Sequence, residues 1–216
     1  MFTVLKQKLQ SLQMLRALSR FLRDPGNLET VKGVGASLQD SPLAAQMYRH
    51  MLKQPGISAM IEDHWRPQPI DLDALAALPA GSLGHCYAEQ LRIQGINPAD
   101  LIDSSAVQNE HDFVIHRLKE THDIVHVLTG FGVDGISELG LQAFNLAQFR
   151  SPLAVLLIFA GLLKVLQEDE PLDDLLRALA RGFSLGLQAR CVVAERLEDH
   201  WERPLSAWRE TLQLVV

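Results

Sequence analysis

Residues 121–140, THDIVHVLTGFGVDGISELG, decide the reading of the chain. Apolar positions at 3.6-residue spacing run into this stretch from about residue 104 and stop at 129. Gly130, Gly132 and Gly135 then break the pattern. Asp134-Gly135 is a turn signal, and a second helical pattern begins around Ile136. The stretch therefore reads as helix, glycine turn, helix, with His122, Asp123 and His126 at the end of one helix and Glu138 in the first turn of the next.

The rest of the chain repeats this organisation. Ser41-Pro42, Asn97-Pro98 and Ser151-Pro152 each pair a capping residue with a proline suited to the first helical position. Helices are expected near 83–94, 104–129, 152–168 and 172–199, with a short amphipathic tail at 203–212. Two or three shorter helices fill 24–82, with turns at Pro55-Gly56, Arg66–Pro69 and Pro79–Gly81. No hairpin dipeptide sits between alternating runs, and no G-x-G-x-x-G follows a strand. The expected fold is all-α, a single-domain multi-helix bundle of about seven to nine helices, with an apolar ligand slot. Residues 1–24 are expected to form an amphipathic N-terminal helix making membrane or partner contact. Phe2, Leu5, Leu9, Leu12, Leu15, Leu18 and Leu22 share one face of it, and basic residues occupy the others. Residues 25–216 are expected to form the helical metal-binding domain.

Composition narrows the function. The chain has 216 residues, a formal net charge of −6 and 47% hydrophobic residues. An acidic protein lacks the basic surface that generic nucleic-acid binding needs. Cys86 and Cys191 form no C-x-x-C and read as free thiols, most simply as small buried hydrophobes in a reducing compartment. The longest apolar run, Pro152–Leu163, is shorter than the ~20 residues a bilayer requires. With no apolar h-region or Arg- and Ser-rich leader at its start, the protein is expected in the cytoplasm, peripheral to the inner membrane.

His122 and His126 lie one helical turn apart, a rise of ~6 Å. That spacing lets two imidazoles grip one divalent ion, as in the H-x-x-x-H pair of zinc metalloproteases. The stripe His111, Ile115, Leu118, His122, Val125 and His126 is expected to face the core. Asp123 and Glu138 bring carboxylates to the same place, where buried acids without a cation or donors are costly. Two imidazoles and one or two carboxylates suit Zn²⁺ or Fe²⁺ best and Mn²⁺ less well, with Mg²⁺ also admitted. Asp123 or Glu138, if not fully ligating, is a candidate proton acceptor. Arg117 and Lys119, close by, are candidates to meet an anionic head group. Ala160 and Gly161, small among bulky aliphatics, are candidates to let a long apolar ligand approach.

The pattern H-D-x-x-H, eleven residues, E (His122, Asp123, His126, Glu138) resembles the metal-site signature of the coenzyme Q biosynthesis protein four (Coq-four) family. Arg117–Thr121, His126–Gly130 and Gly81–Tyr87 also resemble that family, and the likeness runs from about residue 43 to the C-terminus. The chain differs from it at Ser137, usually glycine, and at Ile124, often aromatic. Leu141–Asn145 stands where a Lys-Trp-Phe-Glu run is usual. The resemblance implies an all-helical ubiquinone-biosynthesis protein with a divalent metal on those four residues, beside a slot for a prenyl lipid or prenylated quinone precursor. It implies a metal-dependent exchange of a carboxyl for a hydroxyl group at head-group carbon 1, and contact with other quinone-biosynthesis proteins. A homodimer is consistent with the aliphatic content. Two rivals stand beside this reading. One is a non-enzymatic lipid-binding scaffold with a closed metal clamp. The other is an H-D phosphohydrolase, which needs further ligands such as His111 or His116 and Asp173.

Overall fold

A computed structural model describes residues 33–35, 38, 41–97, 106–168 and 171–216. The expected N-terminal helix, and the helix start at Asn97-Pro98, fall on or beside residues outside that set. Among the described residues the structure is helical, and the β pairing is an isolated bridge between Ser82 and Pro204. The helices are α1 (Pro42–Met51), α2 (Pro55–Glu62), α3 (Leu72–Ala76), α4 (Leu83–Gln94), α5 (Glu110–Glu120), α6 (His122–Thr129), α7 (Gly135–Phe149), α8 (Pro152–Glu168), α9 (Leu172–Gln188) and α10 (Leu205–Leu212). Two 3₁₀ turns, Val192–Ala194 and Leu197–His200, join α9 to α10.

The capping residues work as their chemistry requires. Ser41 Oγ accepts from Ala44 N, Ser82 Oγ from His85 N, and Ser151 Oγ from Ala154 N. Each satisfies an amide that the first turn leaves without a partner. Pro55-Gly56, expected as a turn, opens α2 instead, because proline at the first helical position needs no amide partner.

Two expected helices are divided. The stretch 104–129 breaks at Thr121, whose hydroxyl donates to Arg117 O at 2.6 Å and competes for that carbonyl. The break separates α5 from α6 and changes which residues face inward. His111 is exposed and stacks on the Tyr48 ring, with centroids 4.2 Å apart, while His116 and Arg117 are buried. The stretch 172–199 ends as an α-helix at Gln188. Gln148, on α7, explains the stop. Its Nε2 donates to Gly186 O at 2.7 Å and Ala189 O at 3.0 Å, and its Oε1 accepts from Val192 N at 3.1 Å.

The centre of the bundle is the crossing of α7 and α9, made close by glycine. A Cβ on Gly182 would lie 2.0 Å from Gly140 O, so the two backbones touch where any larger residue would separate them. On another side of α7, Leu139 fills the space over Gly161 of α8. α4 packs on α6, and its first turn is tied to the chain before α10 by Leu83 N to Arg203 O and Gly84 N to Trp201 O. The core around α6 includes Ile124, Leu128, Tyr87, Leu91 and Phe144, each at most 1% exposed. Among the described residues no helix is long and apolar enough to cross a membrane.

Candidate metal centre

α6 is buried from Asp123 to Thr129, so its polar groups need partners inside the protein. The carbonyls at its C-terminal end receive theirs from arginines on other helices. Arg209 of α10 donates from Nε to Leu128 O at 2.9 Å and from a terminal nitrogen to Val127 O at 3.1 Å. Arg181 of α9 donates to Thr129 O at 2.7 Å. Gly130 closes the helix in the left-handed conformation, φ 68°. Across the turn, Asp134 caps α7, accepting from Ser137 N at 3.0 Å and from the Ser137 hydroxyl at 2.6 Å. Those two bonds hold the Asp134 carboxyl below its ordinary range. Ser137, where the Coq-four pattern usually has glycine, thus helps fix the helix start that carries Glu138.

The expected residues converge. His122 Nε2 and His126 Nε2 are 3.3 Å apart, with rings edge to face at 88°. One ligand atom from each of His122, Asp123 and His126 falls within 4.8 Å of the others. Glu138 joins from the next helix, its Oε1 3.2 Å from His126 Nε2, and its side chain is 35% exposed. The cluster is buried on the α6 side and open on the Glu138 side.

Hydrogen bonding orients the imidazoles. His126 Nδ1 lies 3.1 Å from Phe131 O. A carbonyl only accepts, so Nδ1 carries the hydrogen and Nε2 of the neutral ring presents a lone pair. That lone pair faces the His122 nitrogen and a carboxylate oxygen. Electron-rich atoms this close need a proton or a cation between them. In the ion-free protein, burial works against a charged His126, but the hydrogen bond and charge of Glu138 outweigh it and raise the pKa. Burial and the His126 charge lower His122. The donor set therefore fits a divalent ion: two nitrogens, a buried carboxylate, a second carboxylate from the neighbouring helix and an open side.

Other expected residues lie elsewhere. Arg117 does not reach out to a head group. It is 1% exposed, with Nη1 2.5 Å from Glu198 Oε1, Nε donating to Val193 O at 2.9 Å and Nη2 to Glu195 O at 2.6 Å. Lys119 is exposed on α5. Ala160 packs with Val34 and Leu38, and Gly161 is covered by Leu139, so both small residues are used in helix packing rather than lining an open slot. His111 and Asp173 are exposed, and Arg66 donates toward His116 Nδ1 at 3.2 Å, so none of the three extra phosphohydrolase ligands joins the cluster. Cys86 and Cys191 are free and partly buried, and burial pushes the Cys191 thiol up to about 11.

Sequence reasoning did not single out Glu198, Phe131 or Arg181, which no local pattern marks. Tyr87 lies in the Gly81–Tyr87 segment, which resembles the Coq-four family. The Tyr87 phenol is raised first by burial and then by the charges of Asp123 and Glu198, which places it beside the acidic side of the site.

Fold and site define an all-α protein with a buried His-Asp-His cluster at a helix end and a glutamate from the next helix. The family model described as coenzyme Q (ubiquinone) biosynthesis protein Coq4 matches residues 5–216, and the chain belongs to that family. It is 29% identical over 185 residues to a mitochondrial ubiquinone biosynthesis protein COQ4 homolog of Mus musculus, covering 85% of this chain and 65% of the relative. It is 30% identical over 178 residues to the mitochondrial ubiquinone biosynthesis protein coq4 of Botryotinia fuckeliana, covering 81% and 60%. The chain thus spans less than two thirds of these relatives' length. A crystal structure from Nostoc punctiforme, of a protein assigned provisionally to ubiquinone biosynthesis, superposes with a TM-score of 0.84 at 29% identity, covering 95% of this chain and 99% of that one.

Proposed function

We propose that this chain acts in ubiquinone biosynthesis by holding one divalent metal, with Zn²⁺ the first choice, on His122, Asp123, His126 and Glu138. The reaction is the oxidative replacement of a carboxyl group, released as CO₂, by a hydroxyl group at head-group carbon 1 of a prenylated precursor, with molecular oxygen as the oxidant. The observation that carries the reading is the meeting of the His126 Nε2 lone pair with His122 Nε2 at 3.3 Å and Glu138 Oε1 at 3.2 Å.

A bound divalent ion supplies Lewis acidity toward the phenolic or carboxylate oxygens of the ring. His122 and His126 hold neutral nitrogens toward it, the second oriented by Phe131 O. Asp123, 8% exposed, supplies negative charge from the buried side. Glu138, on the open side, is placed to accept a proton from the substrate. An exposed apolar face of α8, where Val155, Phe159 and Leu166 are 48%, 49% and 66% exposed, offers a surface for the apolar chain of the precursor. The same face would serve contact with a membrane surface or with other quinone-biosynthesis proteins.

Elemental analysis of purified wild-type protein beside His126→Ala tests the metal. About one divalent ion per chain, lost in the variant, is expected. No metal in either, even after incubation with Zn²⁺, Fe²⁺ and Mn²⁺, would leave a lipid-binding scaffold in which these residues only hydrogen-bond.

A further inference from the structure

Two contacts behind the cluster sits a guanidinium whose placement the candidate metal ligands do not explain. Arg181 Cζ lies 4.3 Å from the centroid of the Phe131 ring. The Cδ1–Cε1 edge of that ring rests on α7, where a Cβ on Gly140 would come within 2.5 Å of Phe131 Cε1. Phe131 is therefore held by a cation on α9 and against a bare backbone on α7. The same guanidinium donates to Thr129 O at 2.7 Å, so it grips the chain on both sides of Gly130. Phe131 O in turn accepts from His126 Nδ1 at 3.1 Å.

The clamp matters because of what surrounds it. Phe131 stands in a turn containing Gly130, Gly132 and Gly135, whose backbone has wide conformational freedom. A carbonyl in such a turn would not by itself hold a fixed direction toward an imidazole. Arg181 and Gly140 supply that direction from two other helices.

We propose that Arg181 and Phe131 are positioning residues that hold His126 in its Nδ1–H tautomer, and so aim the Nε2 lone pair at His122 and Glu138. The inference rests on the metal reading for its purpose, but its geometry concerns the ion-free protein. An ordered outer partner of this kind typically carries a 10–100-fold effect on metal affinity.

The experiment is ¹⁵N NMR of the histidine side chains in full-length, metal-free protein, at alkaline pH where imidazoles are neutral, with Zn²⁺ affinity measured alongside by chelator competition. Wild type, Arg181→Met, Arg181→Lys and Gly140→Ala are compared. Wild-type His126 is expected as Nδ1–H. Arg181→Met should shift it toward Nε2–H or a mixture and weaken Zn²⁺ about 10–100-fold. Arg181→Lys, which keeps charge but loses the flat cation over the ring, should fall between, and it carries the test if Arg181→Met fails to fold. Gly140→Ala keeps the Arg181 side chain, presses on the Phe131 ring and on Ala178 O of α9, and should shift the tautomer in the same direction. An Nε2–H tautomer in wild type overturns the proposal. So do folded variants that melt earlier yet keep the wild-type tautomer. A tautomer shift in a protein that binds no metal upholds the positioning role and refutes the metal reading instead.

Discussion

Glu138 Oε1 stands 3.2 Å from His126 Nε2, across the glycine turn that separates α6 from α7. The pair couples two helices through one nitrogen. Glu138→Gln keeps the shape and removes the charge. Its Zn²⁺ affinity, read by chelator competition, should fall by more than the ~10–100-fold typical of an outer partner, because a proposed ligand is lost. The helical content should not change, since Glu138 is partly exposed.

Protons and metal compete for that nitrogen. His126 is raised in the ion-free fold, so its protonated form contributes stability that is complete below the ordinary histidine value and is lost as pH rises through the raised one. His122 is lowered, so its contribution has the opposite sign: stability falls as pH drops below the ordinary value, because the unfolded chain takes up the proton first. Metal needs both nitrogens free. Affinity should therefore weaken as pH falls through the raised His126 value, and Zn²⁺ added to weakly buffered protein near neutrality should release a proton. A pH-independent affinity across that range would contradict the assignment of His126 as a ligand.

Arg117 and Glu198 make a buried ion pair whose second carboxylate oxygen, Oε2, has no hydrogen-bond partner among the described residues. Arg117→Met leaves a buried charge uncompensated and should cost about 3–5 kcal/mol in denaturant unfolding. The double variant Arg117→Met/Glu198→Leu should cost less than the single one, because no charge is then stranded.

The α7–α9 crossing has no room for a methyl group. Gly182→Ala places a carbon 2.0 Å from Gly140 O, so the helices must move apart, and a loss of about 1–3 kcal/mol is expected from overpacking. Thermal melting of the variant measures it. Zn²⁺ content should also drop if the shift carries α7, and Glu138 with it, away from α6.

Much of this could be read along the chain. Serine before proline at 41–42 and 151–152 marks helix starts because the cap and the fixed φ act within a few residues. His122 and His126 were legible as a pair because helical spacing alone sets them one turn apart, and Glu138 because the glycine turn is short. The break at Thr121 was not legible: a hydroxyl bonding back four residues leaves the apolar period intact. Nor was the end of α9, which Gln148 decides from another helix.

By itself the sequence determined the all-α class, the helix–turn–helix that carries His122, Asp123, His126 and Glu138, and which side chains could meet an ion. Those follow from local forces: capping, periodicity and turn chemistry. Tertiary structure alone decided that Arg117 turns inward to Glu198, that Ala160 and Gly161 are filled by packing, and that Arg181 and Arg209 take the carbonyls at the end of α6. The reason is physical. A buried charge or carbonyl is satisfied by whichever donor the fold brings to it, and that partner can lie anywhere in the chain.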